Sequence, residues 1–139
     1  MKLAEHEIIL NGSLKAAWSK LVDWRSMPQW DHLMASLNFD GPLKEGSTGE
    51  LILKNGAKYT LKVTSFHEEN DYTDEFSTLG SRLIFYHELK PLTDTTIKMR
   101  FVIEGDGLLL WLFQIAIRWD LRTKLPALMN TFKEQFERP

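Results

Sequence analysis

The sequence predicts an α+β protein in which a meander of antiparallel strands leads into one long C-terminal helix. Apolar and polar residues alternate along successive segments of the middle of the chain, the pattern of strands with one buried and one solvated face. Short turn sequences such as Asn55-Gly56 and Leu79-Gly80 separate these segments. The last third of the chain is instead apolar at helical spacing.

One strand and two short helices are predicted before the meander. Glu5 to Asn11 forms the strand, which stops at the turn sequence Asn11-Gly12. Ser13 then caps a helix that runs to about Val22, with an apolar face made of Leu14, Ala17, Trp18 and Leu21. After a break that contains Pro28, one more helical turn is expected.

Six further strands follow, and short turns join them into a meander. They are predicted at Ala35 to Asp40, Gly49 to Lys54, Lys58 to Phe66, Tyr72 to Ser77, Arg82 to Lys90 and Thr95 to Glu104. Alternation is clearest in the last strand, which directs Ile97, Met99, Phe101 and Ile103 inward.

The terminal helix is predicted from Gly105 to Pro139 and is too apolar for an ordinary surface helix. Between Leu108 and Trp119 its apolar residues cover almost the whole circumference, where a helix lying on a sheet needs only a stripe. A sheet that wraps around it, a partner chain or a bound apolar molecule would have to cover the remaining faces. Pro126 should kink the helix, and beyond it an ordinary amphipathic stripe returns.

Composition predicts one domain spanning residues 1–139. Hydrophobic residues make up 43% of the chain and charged residues 26%, and the net charge of −2 gives no attraction to nucleic acid. Cysteine is absent, which excludes disulfides and thiolate chemistry and is typical of a reducing cytoplasm. No signal-peptide pattern is present, and Leu108 to Ile117 supplies only about half of the ~20 residues that a membrane span needs. We therefore expect a cytoplasmic protein with no transmembrane segment.

Several short motifs in order carry a family resemblance that covers essentially the whole chain. They are Glu7-Ile8-Ile9-Leu10-Asn11, Ala17-Trp18, Leu21-Val22-Asp23-Trp24 with Pro28-Gln29-Trp30-Asp31, Gly41-Pro42-Leu43-Lys44-Glu45-Gly46, Phe85-Tyr86-His87-Glu88-Leu89 with Pro91-Leu92, and Leu125-Pro126-Ala127-Leu128. The chain resembles the START-like (SRPBCC) superfamily, in particular its bacterial polyketide cyclase/dehydrase and lipid-transport branch. This resemblance implies a helix-grip fold, a curved seven-stranded antiparallel sheet around the C-terminal helix, usually with a cavity for an apolar ligand. It implies no particular reaction.

One cluster of polar residues is predicted on the buried face of a hairpin. If Leu79-Gly80 is a two-residue turn, Asp74 lies opposite Phe85 and Tyr72 opposite His87, with Asp74 diagonal to His87. The imidazole could then satisfy the carboxyl group. Such a cluster could orient a ligand carbonyl or hydroxyl, act as a general acid and base, or form a hydrogen-bonded core pair. Metal and cofactor sites are not expected, because the four histidines show no ligand spacing.

Aromatic and aliphatic residues are predicted to line the ligand cavity, although the same side chains could fill the core instead. The predicted lining is Trp30, Leu51, Tyr59, Leu61, Phe76, Phe85, His87, Met99, Trp111, Ile115 and Trp119. The leading hypothesis is a binder of a lipid, isoprenoid, quinone or aromatic polyketide. Alternatives are a cyclase/dehydrase-type enzyme that uses His87, Asp74 and Tyr72, and a protein-interaction module or homodimer. Exposed Trp24 and Trp111 would favour a surface for a partner or a membrane.

Overall fold

The computed structural model describes residues 1–138; Pro139, the predicted end of the terminal helix, lies outside the described residues. The elements are β1 (Lys2–Asn11), α1 (Leu14–Leu21), α2 (Met27–Trp30), β2 (Met34–Phe39), β3 (Thr48–Leu53), β4 (Lys58–His67), β5 (Asp71–Thr78), β6 (Ser81–Pro91), β7 (Thr96–Asp106), α3 (Leu108–Leu112) and α4 (Gln114–Glu137). Each predicted strand is present.

The seven strands within residues 1–138 form one antiparallel sheet in the order β1-β7-β6-β5-β4-β3-β2. Strands β2 to β7 are a meander of sequential neighbours, and β1 joins the edge beside β7, where Lys2 pairs with Glu104. The helices and the sheet enclose the core. This is the helix-grip fold, as predicted.

Helix α1 begins where the sequence indicated. The Ser13 hydroxyl accepts a hydrogen bond from the Ala16 backbone N–H at 3.2 Å, which satisfies one of the free donors of the first turn. Ala17, Trp18 and Leu21 are buried on the sheet side. The local capping signal and the apolar spacing therefore agree on this element.

The C-terminal half of α4 provides the helical side of the core. It buries Leu125, Leu128, Met129 and Phe132, and the helix continues through Pro126. Phe132 is fully buried and packs edge-to-face on Trp30 of α2, with ring centroids 5.0 Å apart. This contact fixes α2 against α4, and α2 leads directly into the site described below.

The start of the terminal helix differs from the prediction. Strand β7 continues to Asp106, and Gly107 then takes a positive φ of 111°, a conformation that favours glycine. A Cβ at Gly107 would also lie 2.7 Å from the Ser81 Cα, so the backbone packs closely there. The helix is divided as well, because Phe113 is non-helical between α3 and α4.

The apolar first part of this helical region is uncovered. We call its exposed side chains the apolar surface: Leu108, Leu109, Trp111, Leu112, Phe113, Ile115 and Trp119. Ile115 is 80% exposed and Trp119 78% exposed. Among the large apolar side chains of this stretch, only Leu110 is buried and Ile117 partly buried against the rest of the protein. Trp24 is not part of the apolar surface, because it is buried and its indole N–H donates to the Gly41 carbonyl.

No helix within residues 1–138 has the length and apolar character that crossing a membrane requires.

Candidate functional site

A cavity of about 390 Å³ lies between the inner face of the sheet and the helices. Its apolar lining comes from α2, from strands β2 to β7 and from α4. These residues are Met27, Trp30, Leu33, Met34, Leu51, Leu53, Leu61, Phe76, Leu83, Phe85, Ile103 and Leu121. The volume lies toward the lower end of the ~300–1,000 Å³ range typical of small-molecule sites.

The cavity opens between the loop after α2, the β3–β4 turn and the first half of α4. Its exposed lining residues mark this opening: His32, Lys54, Asn55, Asp120 and Lys124. Lys124 and Asp120 form an ion pair at 3.0 Å, and Lys54 is a third charged residue at the rim. A small molecule in the opening would therefore meet polar groups, while the interior is mostly apolar.

The predicted polar cluster lies inside the cavity, and its hairpin register is confirmed. Tyr72 pairs with His87 and Asp74 with Phe85, on either side of the Leu79-Gly80 turn. Asp74 is only 6% exposed, and no residue within 1–138 donates a hydrogen bond to its carboxyl group. Burial, reinforced by the nearby Asp31 carboxyl, raises the pKa of Asp74 well above its usual value. The same burial raises the pKa of Tyr72.

His87 does not satisfy Asp74 as expected, because its imidazole bonds to the backbone instead. Its Nδ1 lies 3.3 Å from the Tyr72 carbonyl oxygen, and its ring stacks on the Tyr72 ring at a centroid distance of 4.2 Å. Burial lowers the pKa of His87 to about 4, so the ring is neutral at neutral pH. A carbonyl oxygen can only accept, so Nδ1 carries the proton and Nε2 keeps its lone pair.

Asp31 is a second carboxyl group in the cavity, and the sequence analysis missed it. It follows α2 directly, and its carboxylate accepts a hydrogen bond from the Leu33 backbone N–H at 3.0 Å. Burial raises its pKa to about 6, against the opposing effect of that hydrogen bond. Asp31 lies in a loop without periodicity, so only the Pro28-Gln29-Trp30-Asp31 motif could have pointed to it.

Trp30 adds an unpaired donor to the same region. It is 1% exposed and lines the cavity, and its indole Nε1 has no hydrogen-bond partner within residues 1–138. Buried polar atoms are rarely left unpaired, and an exception in a native structure calls for an explanation. A ligand acceptor or a water molecule would provide one.

The predicted lining residues divide into two groups. Trp30, Leu51, Leu61, Phe76, Phe85 and His87 lie together around the cavity. The other five lie elsewhere: Tyr59, Met99, Trp111, Ile115 and Trp119. Tyr59 stacks behind Phe76 at 4.6 Å, and Met99 is fully packed in the core. Trp111, Ile115 and Trp119 belong to the apolar surface, because the helix turns these side chains away from the sheet.

No group of three or more His, Cys, Asp or Glu residues in the described part of the chain is placed to hold a metal ion. The site consists of an apolar cavity with the buried carboxyl group of Asp74, the partly buried one of Asp31, a neutral imidazole and a phenol.

Comparisons with solved structures support the fold over almost the whole chain. The protein XoxI from Bacillus cereus superposes with a TM-score of 0.75 at 12% identity, over 97% of this chain and 95% of that one. A conserved protein from Geobacillus kaustophilus gives 0.71 at 16% identity, over 96% and 94%. Norcoclaurine synthase from Thalictrum flavum, in complex with dopamine and hydroxybenzaldehyde, gives 0.71 at 12% identity, over 98% and 87%. At these identities the likeness establishes the fold alone. No family model and no curated protein matches the sequence.

The depressed pKa of His87 predicts a specific acid sensitivity. Between about pH 6.5 and 4 the unfolded chain binds a proton at His87 that the folded protein does not, so the free energy of unfolding falls as pH falls. The shift corresponds to at most about 3 kcal/mol, reduced where water enters the cavity. Urea unfolding across this pH range should show that the free energy of unfolding of the wild type falls relative to that of His87→Phe as pH falls.

Asp31 acts in the opposite direction over part of this range. Its raised pKa stabilises the folded protein at low pH, and that contribution is lost as pH rises from 3.8 to about 6. The raised pKa of Asp74 acts in the same direction as that of Asp31. Both carboxyl groups therefore oppose the effect of His87 in the wild-type profile, so the difference between wild type and His87→Phe is the quantity to follow. A pH-independent difference would contradict the assignment of a neutral buried His87.

Proposed function

We propose that the protein binds a compact apolar small molecule in the cavity between the sheet and α4. The observation that carries this proposal is the apolar lining around a few convergent polar groups, the usual composition of a small-molecule site. Tyr72, Asp74 and His87 are the polar groups that would orient the ligand. The modest volume favours a single-ring or short-chain molecule over a two-chain lipid.

The energetics of an empty cavity support occupancy by water or a ligand. A void of 390 Å³ that was empty and closed to water would cost about 9 kcal/mol at ~24 cal/mol per Å³. That cost is comparable to the ~5–15 kcal/mol by which a whole domain is stable. Aromatic side chains could have filled the space, and the chain instead retains it beside buried polar groups.

The state of His87 favours binding over acid–base catalysis. A general base works best with a pKa near the pH at which the enzyme operates, and His87 has a pKa of about 4. Its Nε2 can accept a hydrogen bond from a ligand hydroxyl or amine without becoming charged. The cyclase/dehydrase hypothesis would need a much stronger base at this position.

Native mass spectrometry of freshly purified protein, followed by organic extraction, tests the proposal. We expect a stoichiometric adduct on the 16.2 kDa chain that is released by solvent and is smaller than a two-chain lipid. If the protein carries no adduct and also binds none of a panel of small aromatic and short-chain probes by calorimetry, the proposal is wrong.

Self-association is a second candidate function, and the apolar surface favours it. Seven large apolar side chains are exposed on α3 and the start of α4, more than the scattered hydrophobic residues of an ordinary monomer surface. A net charge of only −2 gives two copies of the chain little reason to repel each other. A second copy packed on this face would bury the side chains that the sheet leaves uncovered.

Light scattering coupled to size exclusion tests this candidate. A self-associating protein should elute above 16.2 kDa, and Ile115→Glu, at an 80% exposed position, should return it to the monomer. Ala127→Glu, exposed on the second half of α4, is the matched control and should leave the assembly intact. A wild type that stays monomeric at high protein concentration would exclude self-association through the apolar surface.

A further inference from the structure

We propose that the ligand of the cavity carries a protonated amine, held by the carboxyl groups of Asp31 and Asp74. This inference rests on the proposed function and adds the chemical class of the polar end. It follows from the distribution of charged and hydrogen-bonding groups around the cavity.

The ionisable lining residues divide by depth. Asp31, Tyr72, Asp74 and His87 are buried or partly buried, and none of them is a cation at neutral pH. The cationic lining residues, Lys54 and Lys124, are exposed at the opening. Lys124 is already paired with Asp120. The protein therefore provides two acidic groups in the interior and no positive charge to balance them.

Free hydrogen-bond acceptors in the interior, on Asp31, Asp74 and His87, outnumber the free donors, which are the Trp30 indole N–H and the Tyr72 hydroxyl. Asp74 accepts no hydrogen bond within residues 1–138, and Nε2 of His87 keeps a free lone pair. Asp31 uses one oxygen for the Leu33 N–H and has capacity left on the other. An ammonium group brings three donors and a positive charge, which match these acceptors.

The aromatic walls suit a cation as well. Trp30, Tyr72, Phe76 and Phe85 line the same cavity, and aromatic ring faces attract cations, most strongly when water is excluded. Among possible polar ends, an alcohol could donate only one hydrogen bond, and a carboxylate would be disfavoured, because the raised pKa of Asp31 and of Asp74 already reflects the cost of negative charge at this place. The amine is the polar end that satisfies both the carboxyl groups and the rings.

Isothermal titration calorimetry with three probes of one shape tests the inference on the wild-type protein. The probes are 2-phenylethylamine, 2-phenylethanol and 3-phenylpropionate. We expect the amine to bind about 10- to 100-fold more tightly than the alcohol, the range for a hydrogen-bonded charge, and the carboxylate to bind least. Amine affinity should rise with pH from 5 to 8, as the two carboxyl groups lose their protons to accommodate the cation.

A charge-removing variant locates the effect. Asp74→Asn should remove most of the preference for the amine and leave alcohol binding nearly unchanged. Glu75→Gln is the matched control, because Glu75 is the next residue on β5 and faces the opposite side of the sheet. Asp31→Asn provides a second test at the other carboxyl group, should Asp74→Asn fail to fold.

The outcomes separate this inference from the proposed function. Alcohol binding as tight as amine binding would overturn the inference and leave the cavity as a small-molecule site. A preference for the amine that persists in both Asp74→Asn and Asp31→Asn would also overturn it. If none of the probes binds and the purified protein carries no apolar adduct, the proposed function itself fails.

Discussion

Replacement of Phe132 by alanine is expected to lower the free energy of unfolding by about 3–5 kcal/mol. Phe132 is fully buried, packs edge-to-face on Trp30 at 5.0 Å, and has the Lys20 ammonium 5.3 Å from its ring centroid. Removal of the ring leaves a void at the packing contact between α2 and α4. Urea denaturation followed by tryptophan fluorescence would measure the loss.

Phe113→Ala is the control with the same change of side chain. Phe113 is 60% exposed, so its truncation should alter the free energy of unfolding by no more than about 0.5 kcal/mol. Two small losses would show that the contact between α2 and α4 contributes little. Two large losses would show that Phe113 is covered in solution by a second copy.

A tryptophan in place of Leu61 is expected to abolish ligand binding, with a loss in affinity of about 100-fold or more. Leu61 lies on β4, is 3% exposed and lines the cavity, so a larger ring there would occupy the volume that the ligand needs. Two orders of magnitude correspond to about 2.8 kcal/mol of binding free energy. Adduct retention in native mass spectrometry and calorimetric titration with 2-phenylethylamine would measure the effect.

Thr60→Trp controls for the new tryptophan itself. Thr60 is the neighbouring residue on β4 and is exposed on the outer face of the sheet, so its variant should bind as the wild type does. Leu61→Trp should unfold no more easily than the wild type, because the cavity has room for the added ring. Undiminished binding by a folded Leu61→Trp would place the ligand outside this cavity.

Local patterns were sufficient to predict the strands and the hairpin that carries the polar cluster, whereas the curved seven-stranded sheet was implied by the family resemblance. Alternation of apolar and polar residues locates each strand, and a two-residue turn at Leu79-Gly80 fixes which residues lie opposite each other. The positions of Tyr72, Asp74 and His87 on the inner face follow from that register alone. Their hydrogen bonds do not, because the distance from Nδ1 of His87 to the Tyr72 carbonyl depends on side-chain rotation.

The position of Asp31 in the cavity could not be predicted from local sequence patterns. Its carboxyl group reaches the cavity because α2 packs on α4 through Trp30 and Phe132, a contact between residues far apart in the sequence. No local pattern in the loop after α2 records that contact. The cavity volume is unpredictable for the same reason, since it depends on how all the elements pack together.

The terminal helix was predicted in the right part of the chain, but its start, its division at Phe113 and its surroundings were not predicted correctly. Spacing shows that apolar side chains surround the helix between Leu108 and Trp119, and it cannot show whether a neighbouring element covers them. The sheet does not extend over this part, so Trp111, Ile115 and Trp119 lie in the apolar surface. The predicted boundary was also early, because β7 continues through Gly105 to Asp106 before the chain turns.

The position of β1 at the edge beside β7 determines when the fold can close. Asn11 pairs with Thr96 and Lys2 with Glu104, so the first strand has no partner until almost the entire meander has been made. Pairings between such distant segments are slow to form, because closing the long intervening chain costs conformational entropy before any stabilising contact is made. During synthesis on the ribosome, β1 therefore stays unpaired until β7 has emerged. A chaperone that shields the exposed apolar side chains of β1 would protect the chain most during that interval.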